Sequence, residues 1–191
     1  MIRYSMTHIY FVRHSIPDLS IKDESRPLSE EGIKKANELI KIYENIHIDD
    51  MFSSPYKRAI QTIEPISVKK NIEIKLIENF RERKISDEWI DNFRDYSEKQ
   101  WTDFHYKLEN GESLYEVQLR NILALEKILI EKNGRTIIIG THGTALSTII
   151  NYYDNSFQYK EFMGIVNIMP YIVKMEFENN KYSKRTDNIL K

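Results

Sequence analysis

The stretch 8-HIYFVRHSIPD-18 decides the fold. From Ile9 to Val12 it is β-branched and aromatic, short and apolar throughout. A strand covered by helices on both faces reads this way. It ends on two charge-bearing side chains, Arg13 and His14, where a buried strand leaves its sheet. The stretch 135-RTIIIGTHG-143 repeats the design, with an isoleucine run at 137–139 and then His142 followed by Gly143. In parallel α/β sheets, ligands bind beyond the carboxyl ends of the strands. Two such strands side by side would bring His14 and His142 to one place.

The segments between these strands have helical periodicity. The stretch 26-RPLSEEGIKKANELIKIYEN-45 offers Ser29 as N-cap, acids in the first turn, and Ile33, Ala36, Ile40 and Tyr43 as the apolar face. The stretch 53-SSPYKRAIQTIEPISVKK-70 offers Ser54 as cap and Pro55 as first helical residue, with Pro65 expected to kink or end the helix. The longest helix, 112-ESLYEVQLRNILALEKILIEKNG-134, closes on Lys132, Asn133 and Gly134. Another begins directly after His142. Strands alternating with helices predict an α/β three-layer sandwich, a mostly parallel central sheet flanked by helices. The tail 167-NIMPYIVKMEFENNKYS-183 reads as a strand, an Asn-Asn turn and a return strand, with Pro170 suggesting an edge. Residues of about 85–111 break the alternation. They are acidic and aromatic, hold both tryptophans, and read as a helical lid insertion.

Composition narrows the function. With 191 residues and 41% hydrophobic residues, the chain can bury one sizeable core, so one domain spanning 1–191 is expected. A net charge of -1 gives no general attraction to nucleic acid. The absence of cysteine excludes disulfides, thiolate nucleophiles and thiolate metal sites. No segment is apolar enough for a membrane span, and the N-terminus shows no signal-peptide pattern, so a cytoplasmic location is expected.

The candidate site is anionic in preference. Arg58 falls in the first turn of the second helix, beside Lys57. The N–H groups following His142 open another helix, and such groups attract anions. Arg13, Arg58, His14, His142 and that helix start would together cradle a phosphoryl group, because a guanidinium donates two parallel bonds to phosphate oxygens. His8, His47 and His105 have no such company and are read as structural.

These residues are ordered as in a known family. The segments VRHS, RPLSEEG, FSSPYKRAIQT, ENFRERKIS, NGES and GTHGTAL occur in that order over nearly the whole chain. The sequence thereby resembles the histidine phosphatase superfamily, also called phosphoglycerate mutase-like. The resemblance implies that His14 is a nucleophile forming a phosphohistidine. It implies that Arg13, Arg58 and His142 bind phosphoryl oxygens, helped by backbone N–H at Gly143. The family's general acid maps to Glu82, with Glu78 as competitor in the same segment. Ser15 stands where the family has glycine, and its hydroxyl can donate to phosphate; Ser20 is counted with the substrate-binding residues. Gly111, Glu112 and Ser113 either lie near the pocket or simply open a helix.

The implied activity is hydrolysis of a small phosphorylated metabolite, with no cofactor, metal, nucleic acid or membrane involved. A phosphoglycerate mutase is the alternative, disfavoured because 15-SIPDLS-20 departs from the mutase pattern and only Arg81, Arg83 and Lys84 are available for a substrate carboxylate. A catalytically silent phospho-ligand binding protein is the third reading. The oligomeric state stays open, a homodimer included.

Overall fold

The computed structural model describes residues 5–187. Residues 1–4 and 188–191, which the single-domain expectation and the reading of the N-terminus include, lie outside the described residues.

The elements follow in the order β1 (Met6–Arg13), α1 (Glu30–Tyr43), β2 (Asp50–Ser53), α2 (Lys57–Lys70) and β3 (Ile74–Leu76), then a 3₁₀ turn (Glu78–Phe80). After it come α3 (Phe93–Thr102), α4 (Leu114–Glu131), β4 (Thr136–Thr141), α5 (Gly143–Tyr153), α6 (Tyr159–Ile165), β5 (Tyr171–Glu178) and β6 (Lys181–Asp187). The strands form one sheet in the order β3-β2-β4-β1-β5-β6. The first four of these run parallel, and β5 and β6 are joined antiparallel. The fold is therefore the expected helix–sheet–helix sandwich.

Alternation along β1 divides the core. Ile9 and Phe11 face one layer, packed with Leu125 and Ile128 of α4, Leu146 and Ile149 of α5, and Phe162 of α6. Tyr10 and Val12 face the other, packed with Leu39 and Tyr43 of α1 and Ile63 and Ile66 of α2. Full burial of each such side chain contributes about 1.5–3 kcal/mol. The same packing explains why the strands read as unbroken apolar runs.

Several local expectations are corrected. Ser29 caps α1 as expected, accepting from Gly32 N–H. The buried face of α1 is nevertheless Gly32, Ala36, Leu39 and Tyr43, while Ile33 is exposed. Helix α2 starts at Lys57 with Tyr56 as N-cap, so neither Ser54 nor Pro55 starts it. It also runs through Pro65 to Lys70, because burial of Ile63 and Ile66 on either side outweighs the hydrogen bond the proline removes. The tail forms the expected hairpin, with Asn179 and Asn180 both at positive φ. But β5 pairs on both sides and β6 is the edge; Pro170 lies just ahead of the strand, where its missing N–H breaks no ladder bond.

The insertion divides in two. Residues 85–90 and Phe93 line a cavity. Farther on, Trp101 is buried in the core with Phe104 against it. Only the first part covers the strand ends, and a single helix, α3, lies within 85–111. No helix among the described residues is long and apolar enough to cross a membrane.

Candidate active site

The register of β1 on β4 pairs Arg13 with Thr141, so the next residue of each strand is a histidine at the same sheet edge. The His14 and His142 rings lie 5.3 Å apart, edge to face. Above them opens a cavity of about 620 Å³. Its wall includes Arg13, His14, Arg58, Glu82, Gly143 and Thr144. That volume far exceeds a phosphoryl group and leaves room for a carrier molecule.

His14 is nearly buried, and its Nδ1 lies 2.7 Å from the Ser15 carbonyl oxygen. A carbonyl only accepts, so Nδ1 carries the proton and Nε2 keeps its lone pair. Burial, followed by the charges of Arg58 and Arg13, holds the His14 pKa well below the usual histidine value. The imidazole is thus neutral, with its Nε2 lone pair available. His142 is fully buried and stands behind the cavity wall rather than in it. Its Nε2 is 2.7 Å from Ser54 Oγ, and its Nδ1 has no partner among the described residues. Burial and the charge of Arg58 depress its pKa strongly too.

Two buried guanidinium groups flank His14. Arg13 donates from Nη1 to the Ile165 carbonyl at 2.7 Å and from Nη2 to the Val166 carbonyl at 2.9 Å, at the end of α6. Its Nε is unpartnered among the described residues. A Cβ on Gly143 would sit 3.2 Å from this guanidinium, so any larger residue there would press on Arg13. Arg58 donates to the Glu24 carbonyl at 3.0 Å and stacks on Tyr56. Burial lowers both arginines to about 10, which leaves them charged at neutral pH.

Glu82 occupies the start of α5. Its carboxylate accepts from Thr144 N–H at 3.0 Å and Ala145 N–H at 3.1 Å, and from Arg83 N–H at 2.8 Å. The N–H groups that open α5 are therefore already taken by the protein's own Glu82 side chain. Glu78, the competitor, is not in the cavity wall; its carboxylate pairs with Arg81. Ser15 and Ser20 are not brought to the cavity wall either. Ser15 is fully buried, its N–H donating to Thr62 Oγ1, and the Ser20 hydroxyl donates to Asp18 at the surface. Arg81, Arg83 and Lys84 are engaged with Glu112, Gln100 and Asp87 respectively. Glu112 also lies outside the wall, and Ser113 caps α4 in a capping box.

Three residues escape the sequence reading. Arg26 lines the cavity, stacks on Trp89, and acts electrostatically on both His14 and Arg58. Tyr56 packs its ring against His142 at 5.2 Å. Ser54 bonds His142, although its sequence context suggested a helix cap.

Comparison with known proteins places the chain in a family. The family described as the histidine phosphatase superfamily (branch 1) matches residues 9–187. A curated relative in Bacillus subtilis (strain 168), named uncharacterized phosphatase PhoE, is 24% identical over 189 residues, covering 96% of this chain and 95% of its own. The phosphoserine phosphatase of Entamoeba histolytica, solved with phosphoserine, superposes with a TM-score of 0.77 at 19% identity, covering 96% of this chain and 97% of its own. The phosphoglycerate mutase of Bacillus anthracis str. Sterne gives 0.71 at 16% identity, covering 94% of this chain and 91% of its own.

Proposed function

The chain belongs to the histidine phosphatase superfamily, and on that premise we propose that it hydrolyses a small phosphorylated metabolite through a phosphohistidine on His14. One observation carries this reading. A neutral imidazole with Nε2 free is buried between two guanidinium groups, and a carboxylate shares its cavity.

In the first step, the Nε2 lone pair of His14 forms a bond to phosphorus while the ester P–O bond breaks. Arg13 and Arg58 hold the phosphoryl oxygens as charge shifts onto them, while His142 packs its ring against His14 from behind the wall. Glu82, entering this step as the carboxylic acid, gives its proton to the departing oxygen and is left as the carboxylate. In the second step, the Glu82 carboxylate takes a proton from water. The hydroxide oxygen bonds to phosphorus, the P–N bond breaks, and His14 recovers its lone pair. The arginines supply the positive charge, so the scheme asks for no cofactor or metal.

The test is phosphate release by the wild type and His14→Ala, with chelator present, on sugar phosphates, nucleotides, phosphoglycerates and an aryl phosphate. Release that the mutant loses is expected. Equal release by both proteins would remove His14 from the mechanism. Interconversion of phosphoglycerates without net phosphate release would replace hydrolysis by mutase chemistry.

A further inference from the structure

Between Arg81 and Asn92 the chain has neither helix nor strand, yet this stretch carries Glu82. A main-chain bond from Glu112 N–H to the Lys84 carbonyl at 2.8 Å and side chains from elsewhere hold its backbone. Arg120, on α4 and outside the cavity wall, uses all five of its N–H donors here. Nη1 donates to the carbonyls of Asn79 at 2.7 Å and Arg81 at 2.9 Å, and Nη2 to that of Glu82 at 3.3 Å. The remaining two N–H groups bind the Glu112 carboxylate from Nε at 2.8 Å and Nη2 at 3.0 Å. Glu112 also accepts from Arg81 Nη2 at 2.7 Å and from Lys84 N–H at 3.0 Å. Burial would raise its pKa, but the Arg120 bond and the Lys84 N–H outweigh that and hold it below the usual value. Gly111 completes the dock: a Cβ there would lie 2.1 Å from the Ile85 carbonyl oxygen. The Gly-Glu-Ser stretch thus serves neither substrate nor helix start alone. It grips the segment that carries the acid.

We propose that Glu112 and Arg120 are positioning residues for Glu82, fixing its main chain so that its carboxylate stays in the cavity on the α5 amides. The proposal rests on Glu82 being the general acid. A planar five-donor fork is what the geometry requires, and lysine cannot supply it. Arg120→Lys keeps the positive charge that also acts on His142, and so isolates the fork.

The experiment compares kcat/KM on an alkyl phosphate, a poor leaving group, with kcat/KM on 4-nitrophenyl phosphate, a good one. Arg120→Lys is expected to lose about 10- to 100-fold on the alkyl ester, the scale of a misplaced catalytic group. On the aryl ester the loss should stay within about threefold, because a good leaving group hardly needs the acid. Competitive inhibition by inorganic phosphate should not move, since Arg13 and Arg58 are untouched. Equal losses on both esters, or none, would overturn the proposal. Where Arg120→Lys does not fold, Glu112→Gln, which keeps the shape but removes the charge and turns one acceptor oxygen into an N–H donor facing the clamp's N–H groups, is read against the same two outcomes. In a Glu82→Gln background, Arg120→Lys should cost the alkyl ester nothing further; an undiminished cost would show that the clamp serves something else. Failure of the underlying reading looks different: Glu82→Gln alone would then leave the alkyl-to-aryl ratio unchanged.

Discussion

His14 and His142 stand at the ends of two paired strands, whereas Glu82 stands in a stretch held by side chains. The β1–β4 ladder fixes six consecutive residue pairs up to Arg13 and Thr141, and the histidines follow with nowhere else to go. The Glu82 backbone depends on Arg120 and Glu112. The difference teaches that the two halves fail differently. Damage near the strand ends breaks the core with the site, because Phe11, Val12 and Ile139 are fully buried there. Damage to the clamp can misplace one carboxylate and leave the core alone.

Mutations can break or sharpen this contrast. The largest effect is expected for His14→Ala, a loss of at least about 1,000-fold in kcat on every substrate, as when a covalent nucleophile is removed. Steady-state phosphate release measures it, and a smaller, substrate-dependent loss would take the nucleophile's role from His14. Arg58→Ala should cost about 100-fold in kcat/KM, roughly 2–4 kcal/mol, on good and poor leaving groups alike, because it stabilises the phosphoryl charge itself. A loss below about tenfold would place Arg58 outside the chemistry, since one charge-stabilising donor is worth more than that. Glu82→Gln should behave otherwise, losing about 100-fold on alkyl esters and far less on aryl ones. Equal losses on both classes would erase the distinction between the two regions.

The sequence made these regions unequally legible. The histidine pair could be derived physically, because apolar runs end in histidine at the carboxyl ends of parallel strands, and sheet topology does the rest. Glu82 was reachable only through the resemblance of 78-ENFRERKIS-86 to a family motif. Nothing in local spacing separates it from Glu78, since neither residue lies in a regular periodic element. Arg120 and Glu112 were harder still. Arg120 reaches backbone carbonyls some forty residues away in sequence, and Glu112 accepts from the Lys84 main-chain N–H; main-chain groups leave no trace in side-chain patterns. Ser54 shows a signal read for the wrong job. A serine ahead of proline suggests a helix cap, but its hydroxyl faces the ring of His142 across the sheet edge.

Smaller effects sharpen the strand-end half. Ser54→Ala removes one hydrogen bond to His142 Nε2 while leaving the ring packed against Tyr56. A net loss near 1 kcal/mol, about fivefold in kcat/KM, is expected, with similar losses on both leaving-group classes. The smallest effect is on stability against pH. His14 and His142 are folded as neutral rings with pKa values well below the ordinary 6.5, first through burial and then through Arg58. Between 6.5 and those depressed values the unfolded chain binds more protons than the folded one, so stability rises with pH. The contribution is fully present above about pH 6.5 and declines as the pH falls below it. Urea unfolding of the wild type should therefore show a midpoint that drops from pH 7 to pH 5. His14→Asn removes one of the two rings, and its midpoint should drop less over the same range. An unchanged drop would mean that His14 is protonated in the folded protein, and a protonated ring has no lone pair with which to attack phosphorus.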